Sequence, residues 1–237
     1  MPASYNPNLE ILETAVKLLG PLADDVVFLG GCTTGLLVTD SAAPLFRVTL
    51  DVDFIVEVAS LAEYYRFTDK LRQLGLTEDS RPGAPICRWR TESLVLDVMP
   101  TDPAVLGFGN RWFAKAFRAA NWATLPSGKR IRLLPAPYFL ATKIEAFNYR
   151  GKGDFHLSYD IEDLVAVLDG RAEVVTEVGK AEPDLRGYIG DYFLELLQDI
   201  NFLDALPGYL PPDAASQDRL QLIIERMKAI AEVVRCV

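Results

Sequence analysis

The stretch Val48 to Val58, VTLDVDFIVEV, constrains the fold more than any other part of the chain. With a period of two, Val48, Leu50, Val52, Phe54, Val56 and Val58 fall on one face of a strand, and that face is apolar throughout. It predicts a strand buried on that side. Thr49, Asp51, Asp53, Ile55 and Glu57 fall on the other side. Aspartate is a poor strand former, so two of them inside an otherwise ideal strand ask for a reason. Carboxylates that point the same way repel, and each resists ionising unless a cation lies between them. A hard divalent ion with oxygen ligands, Mg2+ above all, is the obvious cation. An edge strand with solvated aspartates is the competing explanation, and Asp51-x-Asp53 alone does not separate the two.

The remaining candidates for chemistry are few. The one histidine, His156, excludes a His-rich metal site and argues against a Ser-His-Asp triad, leaving carboxylates to do the work. Cys32, Cys87 and Cys236 have no zinc-like spacing and fit a reducing, cytoplasmic setting. The opening MPASYNPNLE lacks a basic region followed by an apolar one, so no signal peptide is expected, and no apolar run reaches the length of a membrane span. A chain of 237 residues, half of them hydrophobic, allows one large domain or two small ones. A net charge of −9 weighs against a generic nucleic-acid binder while leaving room for a local basic patch.

Leu9, Leu12, Ala15, Val16 and Leu19 have helical spacing, ended by Gly20-Pro21. Asp25 to Leu29 is a short apolar strand that runs into Gly30-Gly31-Cys32-Thr33-Thr34-Gly35, then Leu36-Leu37-Val38. Glycines between a strand and a helix let backbone N–H groups approach an anion, and the helix N-terminus favours negative charge. Neither a Walker loop nor a dinucleotide fingerprint is present, and a plain tight turn explains the same residues. Ser60 and Glu63 read as a capping box for a helix that stops at Gly75. Ile86 to Arg90 and Leu94 to Met99 predict a hairpin across Thr91-Glu92-Ser93. Asp97 is then a carboxylate between apolar neighbours, costly to bury unless paired or metal-bound; a place at the sheet rim removes that cost. Asn110 can cap a helix to Ala120, and Thr124 to Leu134 reads as a hairpin turning at Ser127-Gly128. Arg111, Lys115, Arg118, Lys129, Arg130 and Arg132 there form either a solvated face or a landing site for a phosphate-rich partner.

From Pro135 helices replace strands. Pro137 suits a first turn, and Phe139, Leu140, Ile144 and Phe147 form an apolar stripe. Lys143 beside that stripe reaches toward a cleft or snorkels to water. Asn148 to Asp154 is a basic loop with Arg150 and Lys152. Ser158 caps a helix whose first turn carries Asp160, Glu162 and Asp163, ordinary partners of the helix dipole. Pro183 to Leu206 and Pro212 to Val234 read as two longer amphipathic helices.

Strand, Gly30-Gly31, helix, an Asp51-x-Asp53 strand, a later strand with Asp97 and then a helical half together resemble the DNA-polymerase-β-like nucleotidyltransferase superfamily. Leu140-Ala141-Thr142-Lys143-Ile144-Glu145-Ala146-Phe147, Arg150-Gly151 and Ser158-x-Asp160-Ile161-Glu162-Asp163-Leu164 look like the AbiEii-type nucleotidyltransferase toxins. The resemblance spans roughly Asp25 to Gly170 and departs from the pattern at Cys32, where small hydroxyl residues are frequent. It implies an α/β (α+β) fold: a mixed-sheet core over residues 1–134 followed by an α-helical domain over 135–237. It implies that Gly30, Gly31, Thr33 and Thr34 contact a triphosphate and that Asp51 and Asp53 hold Mg2+ or Mn2+. Asp97 would ligate a second ion or take the acceptor's proton. Lys143 would contact nucleotide phosphates, with Asp160 orienting it or the nucleotide. The expected reaction moves NMP from an NTP to an acceptor: tRNA, as in a toxin restrained by an antitoxin protein, a protein hydroxyl, or a small molecule such as an aminoglycoside. A non-catalytic nucleotide- or protein-binding component of a toxin–antitoxin pair is the rival from another class.

Overall fold

The computed structural model describes residues 6–44, 47–151 and 153–235; Lys152, Cys236 and residues 1–5 lie outside them. The chain forms two compact units, Met1–Gly35 with Val48–Pro135, and Leu36–Arg47 with Ala136–Val237. Among the described residues no helix is long and apolar enough to cross a membrane.

The first unit is built on a seven-stranded mixed sheet. Its strands are β1 (Val26–Leu29), β2 (Asp51–Val56), β3 (Thr77–Glu78), β4 (Arg88–Arg90), β5 (Val95–Pro100), β6 (Asn121–Thr124) and β7 (Arg130–Leu133). Their order is β3-β4-β5-β2-β1-β7-β6. The β2–β5 and β1–β7 pairs are parallel and the others antiparallel. Among the described residues α1 (Pro7–Leu19), the single turn α2 (Thr34–Leu37), which begins in this unit, α3 (Leu61–Gln73) and α4 (Phe113–Ala119) accompany the sheet. Asn6 caps α1 by accepting from the N–H groups of Asn8 and Leu9, and Leu12, Ala15, Val16 and Leu19 bury the predicted stripe. Ser60 Oγ accepts from Glu63 N while Glu63 reaches back to Ala59 N, a capping box shifted by one residue. From α3, Phe67 meets Phe54 edge to face and Tyr64 donates its hydroxyl to the Val98 carbonyl. The face of Val52, Phe54, Leu96 and Val98 is therefore the one α3 covers, and the aspartates occupy the other.

The strand of the carboxylates is shorter than its pattern. Val48 and Leu50 are 54% and 80% exposed, not buried. Pairing sets this limit: β5 first meets the strand at Asp51, and β1 reaches no further than Asp53. Thr49 lies outside the ladder and gives its N–H to the Asn8 side chain. At the other end Ile55, on the aspartate side, is fully buried.

The second unit is helical, with α5 (Ala136–Ala146), α6 (Tyr159–Gly170), α7 (Val174–Gly179), α8 (Pro183–Leu196), α9 (Ile200–Ala205), α10 (Ala214–Gln217) and α11 (Arg219–Arg235). The α5 helix runs on as a π-helical turn through Gly151. The two long helices expected near the end are broken: Asp199 caps a new helix by accepting from Asn201 N, and α10 is a separate turn capped by Asp213. Segment 36–47 packs with these helices for definite reasons. Thr39 and Asp40 donate their N–H groups to the Gly170 carbonyl, Arg171 bonds the Leu37 carbonyl, and Arg219 bridges Asp40 and Asp169.

Candidate active site

In the first unit, register places the candidate residues in a row. Asp53 on β2 pairs with Asp97 on β5, and Asp97 pairs with Arg88 on β4. Residues directly opposite share a face, so Arg88, Asp97 and Asp53 project together, with Asp51 on the same face one pleat along. Asp53 also pairs with Leu29, next to Gly30. Gly30 has φ +79° and ψ −173°, a conformation essentially reserved for glycine. A Cβ there would lie 1.9 Å from Asp53 Oδ2, so the Asp53 carboxylate packs directly on the glycine backbone. Thr33 donates its hydroxyl to the Gly30 carbonyl, and Gly31, Cys32, Thr33 and Thr34 are all buried. Thr34 Oγ1 is buried and has no hydrogen-bond partner among the described residues.

Arg88 was not singled out from the sequence. Its Nε donates to Asp97 Oδ1 at 2.8 Å and its Nη2 to Asp97 Oδ2 at 2.7 Å, a bidentate pair, and the same Nη2 reaches Asp51 Oδ2 at 3.0 Å. Thr49 adds a hydroxyl to Asp51 Oδ1 at 2.7 Å. The hydrogen bond to Asp97 raises the guanidinium's already high pKa further. Burial pushes the neighbouring Cys87 thiol up to about 12, so it stays a thiol. Asp97 is buried and paired, as the desolvation argument requires. Asp51 and Asp97 thus converge on one cation, and that cation is a side chain. Their oxygen donors suit Mg2+ in kind, but no three acidic, cysteine or histidine side chains among the described residues are grouped to hold a metal ion.

The second unit holds its own ionic cluster. Lys143 on α5 is buried rather than snorkelling, with Nζ 2.5 Å from Asp163 and 3.4 Å from Asp160. Arg150 holds Asp160 with two hydrogen bonds, and Arg47 pairs with Asp163 and Glu162 while lying over the Tyr159 ring. The α6 acids therefore do more than face the helix dipole: Asp160 and Asp163 neutralise the buried Lys143. Removing Asp163 takes away the shorter of Lys143's ion pairs to α6, so Asp163→Ala should destabilise this unit by about 3 kcal/mol. Glu162→Ala, at a third-exposed side chain, should cost below about 1 kcal/mol; chemical denaturation of the two variants checks the contrast. Burial raises the Asp160 pKa, but the Arg150 hydrogen bond and the Lys143 charge outweigh it, and the carboxyl ends below its ordinary 3.8. A depressed folded-state pKa stabilises above the unfolded value and is lost as pH falls through the folded one. Asp160→Asn should therefore flatten the loss of stability below about pH 4.

No family model matches the chain, and no curated protein matches it. Among solved structures, the fold is similar to that of JHP933 from Helicobacter pylori, with a TM-score of 0.51 at 11% identity, covering 99% of this chain and 96% of that one. An antigenic nucleotidyltransferase-like protein from Paracoccidioides brasiliensis aligns with a TM-score of 0.42 at 18% identity, over 86% of this chain and 95% of that one. The JHP933 likeness shows a shared fold, the mixed-sheet core and helical region expected from the sequence.

Proposed function

We propose that the protein is a Mg2+-dependent nucleotidyltransferase that moves NMP from an NTP to an acceptor hydroxyl. The observation that carries this reading is the row of Asp53 and Asp97 on paired parallel strands, with Asp51 on the same face and Gly30 packed against Asp53. Asp51 and Asp53 would hold the ion, Mg2+ or Mn2+, and Asp97 a second ion or the acceptor's proton. A bound ion supplies charge neutralisation at the triphosphate and a lowered acceptor pKa. The chain's own part is position: carboxylates fixed by strand register, and a glycine that lets phosphate oxygens approach the backbone. Gly31, Thr33 and Thr34 belong to that turn. The resemblance gives Lys143 the nucleotide phosphates and Asp160 the part of orienting Lys143 or the nucleotide.

For the acceptor, tRNA has one feature in its favour. Between Asp102 and Glu145 the chain has no acidic residue, although its net charge is −9. Arg118 on α4 and Lys129 and Arg130 at β7 are exposed there, and Arg130 lies 4.8 Å over the half-exposed ring of Trp122. Cations alternating with an open aromatic ring suit a nucleic-acid strand. A toxin role with an antitoxin partner follows from the same resemblance. A binding-only role has a specific observation too: Arg88 already occupies both oxygens of Asp97. Incubation with α-labelled NTPs, Mg2+ and total tRNA separates these readings. Labelled RNA is the expected result; labelled protein moves the acceptor to a polypeptide, and no label on RNA, protein or small molecules refutes transfer.

A further inference from the structure

We propose that Arg88 is a built-in competitor for divalent ions: the guanidinium gives up Asp51, which with Asp53 holds the first ion, and Asp97, which ligates a second, so that metal entry and a swing of the Arg88 side chain are one event. This inference rests on the metal reading above and adds to it the residue that sets metal affinity.

The geometry is that of a placeholder. Three hydrogen bonds, at 2.7, 2.8 and 3.0 Å, tie one guanidinium to both carboxylates. A metal needs the same lone pairs, since a carboxylate oxygen pointed at an Nη2 is pointed at the place an ion would take. The two cannot share them. Charge favours exchange rather than permanence. Asp51 and Asp97 bring two negative charges and Arg88 one positive, a deficit that a divalent ion makes good. Access favours it as well: the side chains of Arg88 and Asp51 are 25% and 32% exposed, so the guanidinium borders solvent and can leave without opening the core. Asp97 stays buried, and its carboxylate demands a cation in either state. Arg88 thereby keeps the acidic face folded when metal is scarce. Its own chain position allows this, because β4 is a three-residue strand and Arg88 is its first residue.

The test is Mn2+ binding to the full chain, followed by electron paramagnetic resonance, for wild type, Arg88→Gln and Arg88→Lys. Loss of one neighbouring positive charge should tighten Mn2+ binding by about tenfold in Arg88→Gln, with Arg88→Lys between that variant and wild type. In wild type the Arg88 Nε–H resonance, identified by its absence from Arg88→Gln, should shift as Mg2+ is added. Arg88→Lys also lacks this N–H and gives the same identification, so a destabilised Arg88→Gln does not rescue the idea. Equal Mn2+ affinity in wild type and Arg88→Gln, or a Mg2+-saturated wild type with an unmoved Arg88 resonance, overturns the exchange and leaves the metal site standing. Absence of Mn2+ binding in all three proteins overturns the exchange and the metal reading together.

Discussion

Asp51→Ala is expected to lower NMP transfer by about 1,000-fold or more while leaving the fold in place. Asp51 is the right residue for this measurement because it separates chemistry from folding. Its side chain is a third exposed, and among the described residues it accepts from Thr49 Oγ1 and one nitrogen of Arg88. Alanine removes a negative charge from a crowded acidic face, which relieves repulsion, and leaves the Arg88–Asp97 fork intact. Asp97→Ala lacks that clarity: it removes two of the three hydrogen bonds to Arg88 and empties a buried place on the sheet, so lost activity could come from lost structure. The check is single-turnover transfer alongside a thermal melt. Wild-type transfer by a folded Asp51→Ala protein removes Asp51 from the reaction and, with it, the reading of the whole row.

Much of this row was legible from alternation alone. A period of two put Asp51 and Asp53 on one face and Asp97 among apolar neighbours, and strand pairing then set Asp53 against Asp97. Arg88 was hidden by one residue of register. A hairpin turning over Thr91-Glu92-Ser93 pairs Arg90 with Leu94 and puts Arg88 opposite Leu96. In the structure Thr91 N bonds the Leu94 carbonyl, Glu92 and Ser93 alone make the turn, and Arg88 falls opposite Asp97. The Thr91 hydroxyl fixes this by accepting from Ser93 N and Leu94 N, a side-chain turn bond that strand periodicity does not report. A slip of one residue moves a side chain across the sheet, so the counter-cation of the site was lost with it. The ends of the Val48–Val58 strand misled for a related reason: apolar alternation continues beyond Asp51, but no neighbouring strand is there to pair with it. In the helical unit, the apolar stripe set Lys143 at its margin and the resemblance pointed to Asp160, but neither could say that Asp163 lies closer to the ammonium, because i and i+3 on α6 share a face and the sequence does not rank them.

Gly30→Ala should destabilise the first unit by about 3 kcal/mol or more, lowering its melting temperature by roughly 10 °C. Two separate costs add. The backbone conformation, φ +79° with ψ near 180°, alone costs an L-residue about 1–3 kcal/mol. The new methyl would also stand 1.9 Å from Asp53 Oδ2 and 2.7 Å from its Cγ, so the carboxylate must leave its place beside Asp97. A double-mutant cycle separates the two. In an Asp53→Ala background the two nearest atoms are gone and only Cβ, at 2.9 Å, remains, so Gly30→Ala should cost about 1 kcal/mol less there than in wild type. The backbone cost persists in both backgrounds because no side chain relieves it. Equal costs in the two backgrounds would show that Gly30 serves the turn alone and that Asp53 does not depend on it. A coupling of the expected sign ties the glycine to the position of the carboxylate, which is what a site that brings phosphate and acid together on the central strands requires of it.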